Sequence, residues 1–94
     1  MAIKDAVPDI RPRAGHDLLV GIDGVLPRLV QPDTDGDLAA EDLMTALVRC
    51  ATCGDISRVR EQADAVRLAA AHLRAGHIAR ATTELRLTRA TLLP

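Results

Sequence analysis

The sequence predicts an all-α fold, a small antiparallel bundle of four helices or of three helices plus an irregular N-terminal segment. Two observations carry this. Apolar residues over 56–74 recur in alternating steps of three and four, the seam of a core-facing helix. Glycines at Gly54 and Gly76 then divide the C-terminal half into helix-length pieces. The composition allows such a fold: 48% of residues are hydrophobic and 27% charged, the balance of a globular domain.

Residues 1–14 hold Pro8 and Pro12 among charges with no sustained period, so they read as a flexible arm ahead of one helical domain over 15–94. From His16 to Gln31 the apolar positions Leu18, Leu19, Ile22, Val25, Leu26, Leu29 and Val30 form a helical stripe. Gly21, Gly24 and Pro27 oppose a helix, at about 1 kcal/mol per Gly and about 3 per Pro in a helix interior. The expectation is therefore a kinked helix, with a hairpin turning at Asp23-Gly24 as its rival.

The run Gln31-Pro-Asp-Thr-Asp-Gly-Asp37 is a turn-rich acidic loop, and Asp37 is placed to cap a second helix with Glu41 and Asp42 in its first turn. The apolar face of that helix reads Ala40, Leu43, Met44, Leu47, Cys50 and Ala51, with Gly54 as its stop and Asp55 as the cap of the next. The third helix, Ile56 to Arg74, carries the seam Ile56, Val59, Ala63, Val66, Ala70 and Leu73. After Gly76 the last helix continues the spacing through Ile78, Ala81, Leu85, Thr88 and Leu92, in a shifted phase that indicates a break.

Gly54-Asp55-Ile56-Ser57-Arg58 recurs weakly as Gly76-His77-Ile78-Ala79-Arg80, both at joints between helices. The Leu, small and Gly positions of Leu68, Ala69, Leu73, Gly76, Ile78, Ala81 and Leu85 also resemble one tetratricopeptide hairpin. The aromatics and closing Pro of that motif are missing, and no second 34-residue copy follows, whereas repeat folds need about three. The stretch reads as generic antiparallel helix packing.

The chain contains no Phe, Tyr or Trp, so its core must come from thirteen Leu, seven Val, five Ile, two Met and sixteen Ala. A core of this kind is thin, and self-association would compensate for it. Missing ring faces also argue against base stacking and aromatic cages. No apolar run reaches the roughly 18 residues of a membrane span, and the start lacks a signal-peptide apolar segment, so the expectation is a cytoplasmic protein with no membrane partner. Eleven Arg against one Lys, with abundant Ala, suggest a GC-rich bacterial coding bias. Residues 1–55 carry five basic and ten acidic side chains, whereas 56–94 carry seven and three. Such asymmetry fits an acidic or nucleic-acid partner, and equally two parts of one fold attracting each other.

Cys50-Ala-Thr-Cys53 with His72 and His77 has the ligand types of a zinc site. Along one helix, however, His72 would lie on the order of 25 Å from the Gly54 turn, beyond the reach of a single ion. A redox role needs a cysteine at a helix N-terminus, while this pair ends a helix, where the dipole disfavours thiolate. Asp33, Asp35, Asp37, Glu41 and Asp42 fail as a calcium loop, because setting Gly36 sixth puts Gln31 first and Pro32 second. They would share a pole of the bundle with His72, Arg74, His77 and Arg80. No metal ligand set, cofactor or catalytic residue is assigned, and the chain reads as non-enzymatic.

Arg60, Arg67 and Arg74 recur every seven residues and, with Arg80, Arg86 and Arg89 on the last helix, are candidate contacts to nucleic acid or an acidic partner. Leu68 and Leu87 fall off the seams of their helices and are candidates for a self-association face, as are Ala65 and Ala69. The expectation is a protein-protein interaction module, as a homodimer or with another partner. The alternatives are a DNA-associated regulator using the third and fourth helices, and a metal-binding or thiol-redox protein.

Overall fold

The computed structural model describes residues 15–52 and 56–93 of the chain. Within them lie helix α1 (His16–Leu29), α2 (Gly36–Thr52), a 3₁₀ turn (Ile56–Val59), α3 (Arg60–Arg74) and α4 (Ile78–Leu92). Each helix packs on the next, and α1 packs on α4, so the four close into an up-down-up-down ring around one core. No strand occurs among the described residues, and none of their helices is long and apolar enough to cross a membrane. The arm over 1–14, and the stop and cap expected at Gly54 and Asp55, lie outside the described residues.

Helix α1 is continuous, and the hairpin reading of this segment is overturned. Burial of Leu18, Ile22, Val25 and Leu29 on one face outweighs the propensity deficit of its two glycines and Pro27. Pro27 stands in the last turn, where its missing N–H interrupts the helical ladder close to its natural end. Gly21 serves the packing. A Cβ built there would lie 2.5 Å from Cβ of Ala46, so α1 and α2 approach closely at this point. The connection to α2 is closed by Thr34, whose hydroxyl donates to the carbonyls of Arg28 and Gln31.

Asp35, rather than Asp37, caps α2. Its Oδ1 accepts the backbone N–H of Asp37 at 3.0 Å and of Leu38 at 3.2 Å, the two donors an N-cap side chain reaches. Asp37 therefore sits inside the first turn. Gly36, between them, is pressed against α3, since a Cβ there would overlap the carbonyl oxygen of Leu73. The buried face of α2 includes Ala40, Leu43, Leu47 and Cys50 as expected, and adds Ala39 and Ala46. Met44 is half-buried and Ala51 exposed. Ala39 and Ala46 are drawn in because α2 touches both α1 and α3, which covers a broader arc than a single seam.

The α-helical part of the third segment starts at Arg60, after one 3₁₀ turn. Its seam residues Val59, Ala63, Val66, Ala70 and Leu73 are all buried. So is Ala69, which corrects the expectation that it forms part of an outer apolar surface. Gly76, at φ 84°, ends the helix in the left-handed conformation. The N–H of Gly76 donates to the carbonyl of Leu73 at 3.1 Å and that of His77 to the carbonyl of His72 at 2.8 Å, the paired bonds of a Schellman motif. Helix α4 then buries Ala81, Leu85 and Thr88. The Thr88 hydroxyl donates to the Glu84 carbonyl at 2.8 Å, which satisfies it inside the core.

Two substitutions at helical glycines should act in opposite directions. A methyl group added at Gly24 would meet nothing within 4 Å, so Gly24→Ala should stabilise the chain by about 1 kcal/mol through helix propensity. Gly21→Ala should destabilise it by about 1–3 kcal/mol, because the new methyl group forces α1 away from Ala46. Urea denaturation of both variants checks the pair. The same measurement should find Val66→Glu largely unfolded, since Val66 is fully buried and a lone carboxylate there has no partner.

Candidate functional site

The sequence candidates separate into three places. The first is the end of α2, where Cys50 is 1% exposed and belongs to the core facing α1 and α3, while Cys53 lies outside the described residues. A helix end built into a hydrophobic core is a packing position. His72 and His77 lie at the opposite pole, beside the α3–α4 turn, and no group of three or more His, Cys, Asp or Glu residues suited to a metal occurs among the described residues. Asp33, Asp35 and Asp37 line one groove with Arg74, Gly76 and Ile78. Of the basic groups expected at that pole, Arg74 faces the acidic loop, while His72 and Arg80 line a different groove with Thr83 and Glu84.

The second place is the set of arginines. Arg60, Arg67, Arg74, Arg80 and Arg86 are all exposed, but they do not share one face. Arg74 lies on the α2 side of α3, beside the acidic loop. Arg67 bonds Asp64 on its own helix at 2.8 Å. Arg80 and Arg86 point to different sides of α4: Arg80 borders His72 of α3, and Arg86 shares a groove with Asp23 and Pro27 of α1. Arg89 pairs with Asp23, and Arg28, not singled out from sequence, pairs with Asp42. These last two ion pairs tie α1 to α4 and to α2. Partly exposed pairs of this kind contribute about 0–1 kcal/mol each and help set register.

The third place is the outer side of the α3–α4 hairpin. Leu68 is 49% exposed and Leu87 is 63% exposed. Leu87 lines a shallow, solvent-open groove with Glu61, Gln62, Ala65, Thr88 and Thr91, closed at one end by a hydrogen bond of 3.3 Å from Gln62 to Thr91. Val20, Leu38 and Val48 are also exposed, but Leu38 and Val48 are separated by about 15 Å of helix and form no continuous patch.

One grouping was not foreseen from the sequence. The rings of His72 and His77 stand with their centroids 6.0 Å apart, tilted by 43°. The signal for it was present, because a glycine at the αL position of a helix end brings the residues four before it and one after it together.

Replacing Arg60, Arg67 and Arg74 together with Gln should change unfolding stability by no more than about 1 kcal/mol, because the three side chains are solvated and, among the described residues, only Arg67 of the three makes an ion pair. Urea midpoints compared at low and high salt check this. Set against protein families, curated proteins and solved structures, the chain has no match in any of the three comparisons.

Proposed function

We propose that this chain is a non-enzymatic helical interaction module that self-associates through the outer side of its α3–α4 hairpin. The observation that carries this reading is the exposure of Leu68 and Leu87 on two adjacent, antiparallel helices whose opposite sides are already committed to the core. Two helices that present apolar groups on both sides suit packing on two sides. The thin core adds a reason. Its largest fully buried side chains are Leu, Ile and Val with one Cys, and burying further apolar area between copies supplements it at about 25 cal/mol per Å². A homodimer is the assembly proposed, with another protein's helix as the alternative occupant of the same face.

A second reading, DNA association through Arg60, Arg67 and Arg74, is favoured by their common spacing and exposure on α3. The separation of Arg80 from Arg86 across α4, and the acidic loop beside Arg74, leave it the weaker one. Salt separates the two, since binding to a phosphate backbone collapses as salt rises whereas apolar association does not.

Light scattering across a hundredfold dilution should find twice the chain mass at high concentration, falling toward about 10 kDa on dilution. Leu68→Glu and Leu87→Glu should each give a helical monomer at every concentration, because the new charge would be buried only in the assembly. A wild-type mass fixed at that of one chain would overturn self-association.

A further inference from the structure

The turn between α3 and α4 holds an arrangement that the association face does not use. The His77 N–H to His72 carbonyl bond of 2.8 Å ties the backbones at these two positions together. In a Schellman motif the side chains at those positions are commonly an apolar pair in contact. Here both are imidazoles, one half-buried and one exposed, with centroids 6.0 Å apart. A late first-row ion binds an imidazole nitrogen at about 2.0–2.1 Å, and the nitrogen lies about 1.1 Å from the ring centre, so an ion shared by two rings sits about 3.2 Å from each centroid. Two imidazoles at right angles on one ion would then have centroids about 4.5 Å apart and two opposed imidazoles about 6.4 Å, so the observed 6.0 Å lies between these, and rotation of the two side chains with both helices held in place would bring their nitrogens onto one ion.

We propose that His72 and His77 form a two-imidazole site for a late divalent first-row transition ion, of the nickel(II) and copper(II) class. Imidazole suits these ions, whereas calcium and magnesium require oxygen ligands. No third His, Cys, Asp or Glu completes the set among the described residues, so water fills the remaining positions and the site is open and weak. Arg74 and Arg80 are nearby positive charges that lower its affinity, but both are exposed and screened by solvent. Glu84, which lines the groove shared by His72 and Arg80, offsets part of that charge. A bound ion would clamp the end of α3 to the start of α4. The backbone bonds that hold the turn fix the two backbone positions before any ion arrives, so binding has only the two side chains left to order.

Nickel(II) titrated into the full chain tests this by calorimetry together with amide NMR spectra. One equivalent should bind, and paramagnetic broadening should start at residues 72–80. His72→Gln and His77→Gln should each weaken binding at least tenfold, while His16→Gln, at the opposite pole, should leave it unchanged. Wild-type affinity in either His72→Gln or His77→Gln, or broadening centred on His16 or Cys50, would overturn the site. Should a variant lose helicity, the broadening pattern of the wild-type chain still decides.

Discussion

The close approach of helix backbones is the constraint on which this bundle depends. With no aromatic side chain to fill the interior, the four helices must come together until Leu, Ile, Val and Ala can pack at the density of a protein core. At Gly21 against Ala46 and Gly36 against the Leu73 carbonyl that approach leaves no room for a side chain. Alanine supplies much of the remaining contact, with Ala39, Ala40, Ala46, Ala63, Ala69, Ala70 and Ala81 all buried. Such a core has little redundancy, because a methyl group added at a contact has nowhere to go and one removed leaves a void.

Charge reinforces this ring without creating it. The acidic first half and basic second half meet at two places in the structure: Asp23 pairs with Arg89, and the loop of Asp33, Asp35 and Asp37 lies beside Arg74. Part of the electrical asymmetry of the chain is thus satisfied inside the fold. Of the arginines that remain on the surface, Arg60, Arg67 and Arg74 keep to one stripe of α3, while Arg80 and Arg86 stand on different sides of α4.

The two poles of the bundle differ in kind. At one, α2 ends with Cys50 held in the core. At the other, the Gly76 turn brings His72 and His77 together in a geometry imposed by backbone hydrogen bonds. The outer apolar side chains Leu68 and Leu87 lie along the hairpin between the poles, so the association proposed for that face and the ion site proposed at the turn would use different residues.

The sequence by itself determined the helical class, the seam of α3, the stop at Gly76 and the outward placement of Leu68, Leu87 and the arginines, because each follows from the 3.6-residue period or from a glycine's local conformation. The tertiary structure alone decided the rest. Ala39, Ala46 and Ala69 are buried because each helix in a closed ring is covered by two neighbours, and periodicity specifies the centre of an apolar face but not its width. Asp35 took the cap from Asp37 because α2 begins where Gly36 can meet Leu73 of α3, a contact between residues far apart in the chain. The continuity of α1 through Gly21, Gly24 and Pro27 was likewise settled by what those residues pack against, since local propensity opposed it and burial against α2 and α4 prevailed.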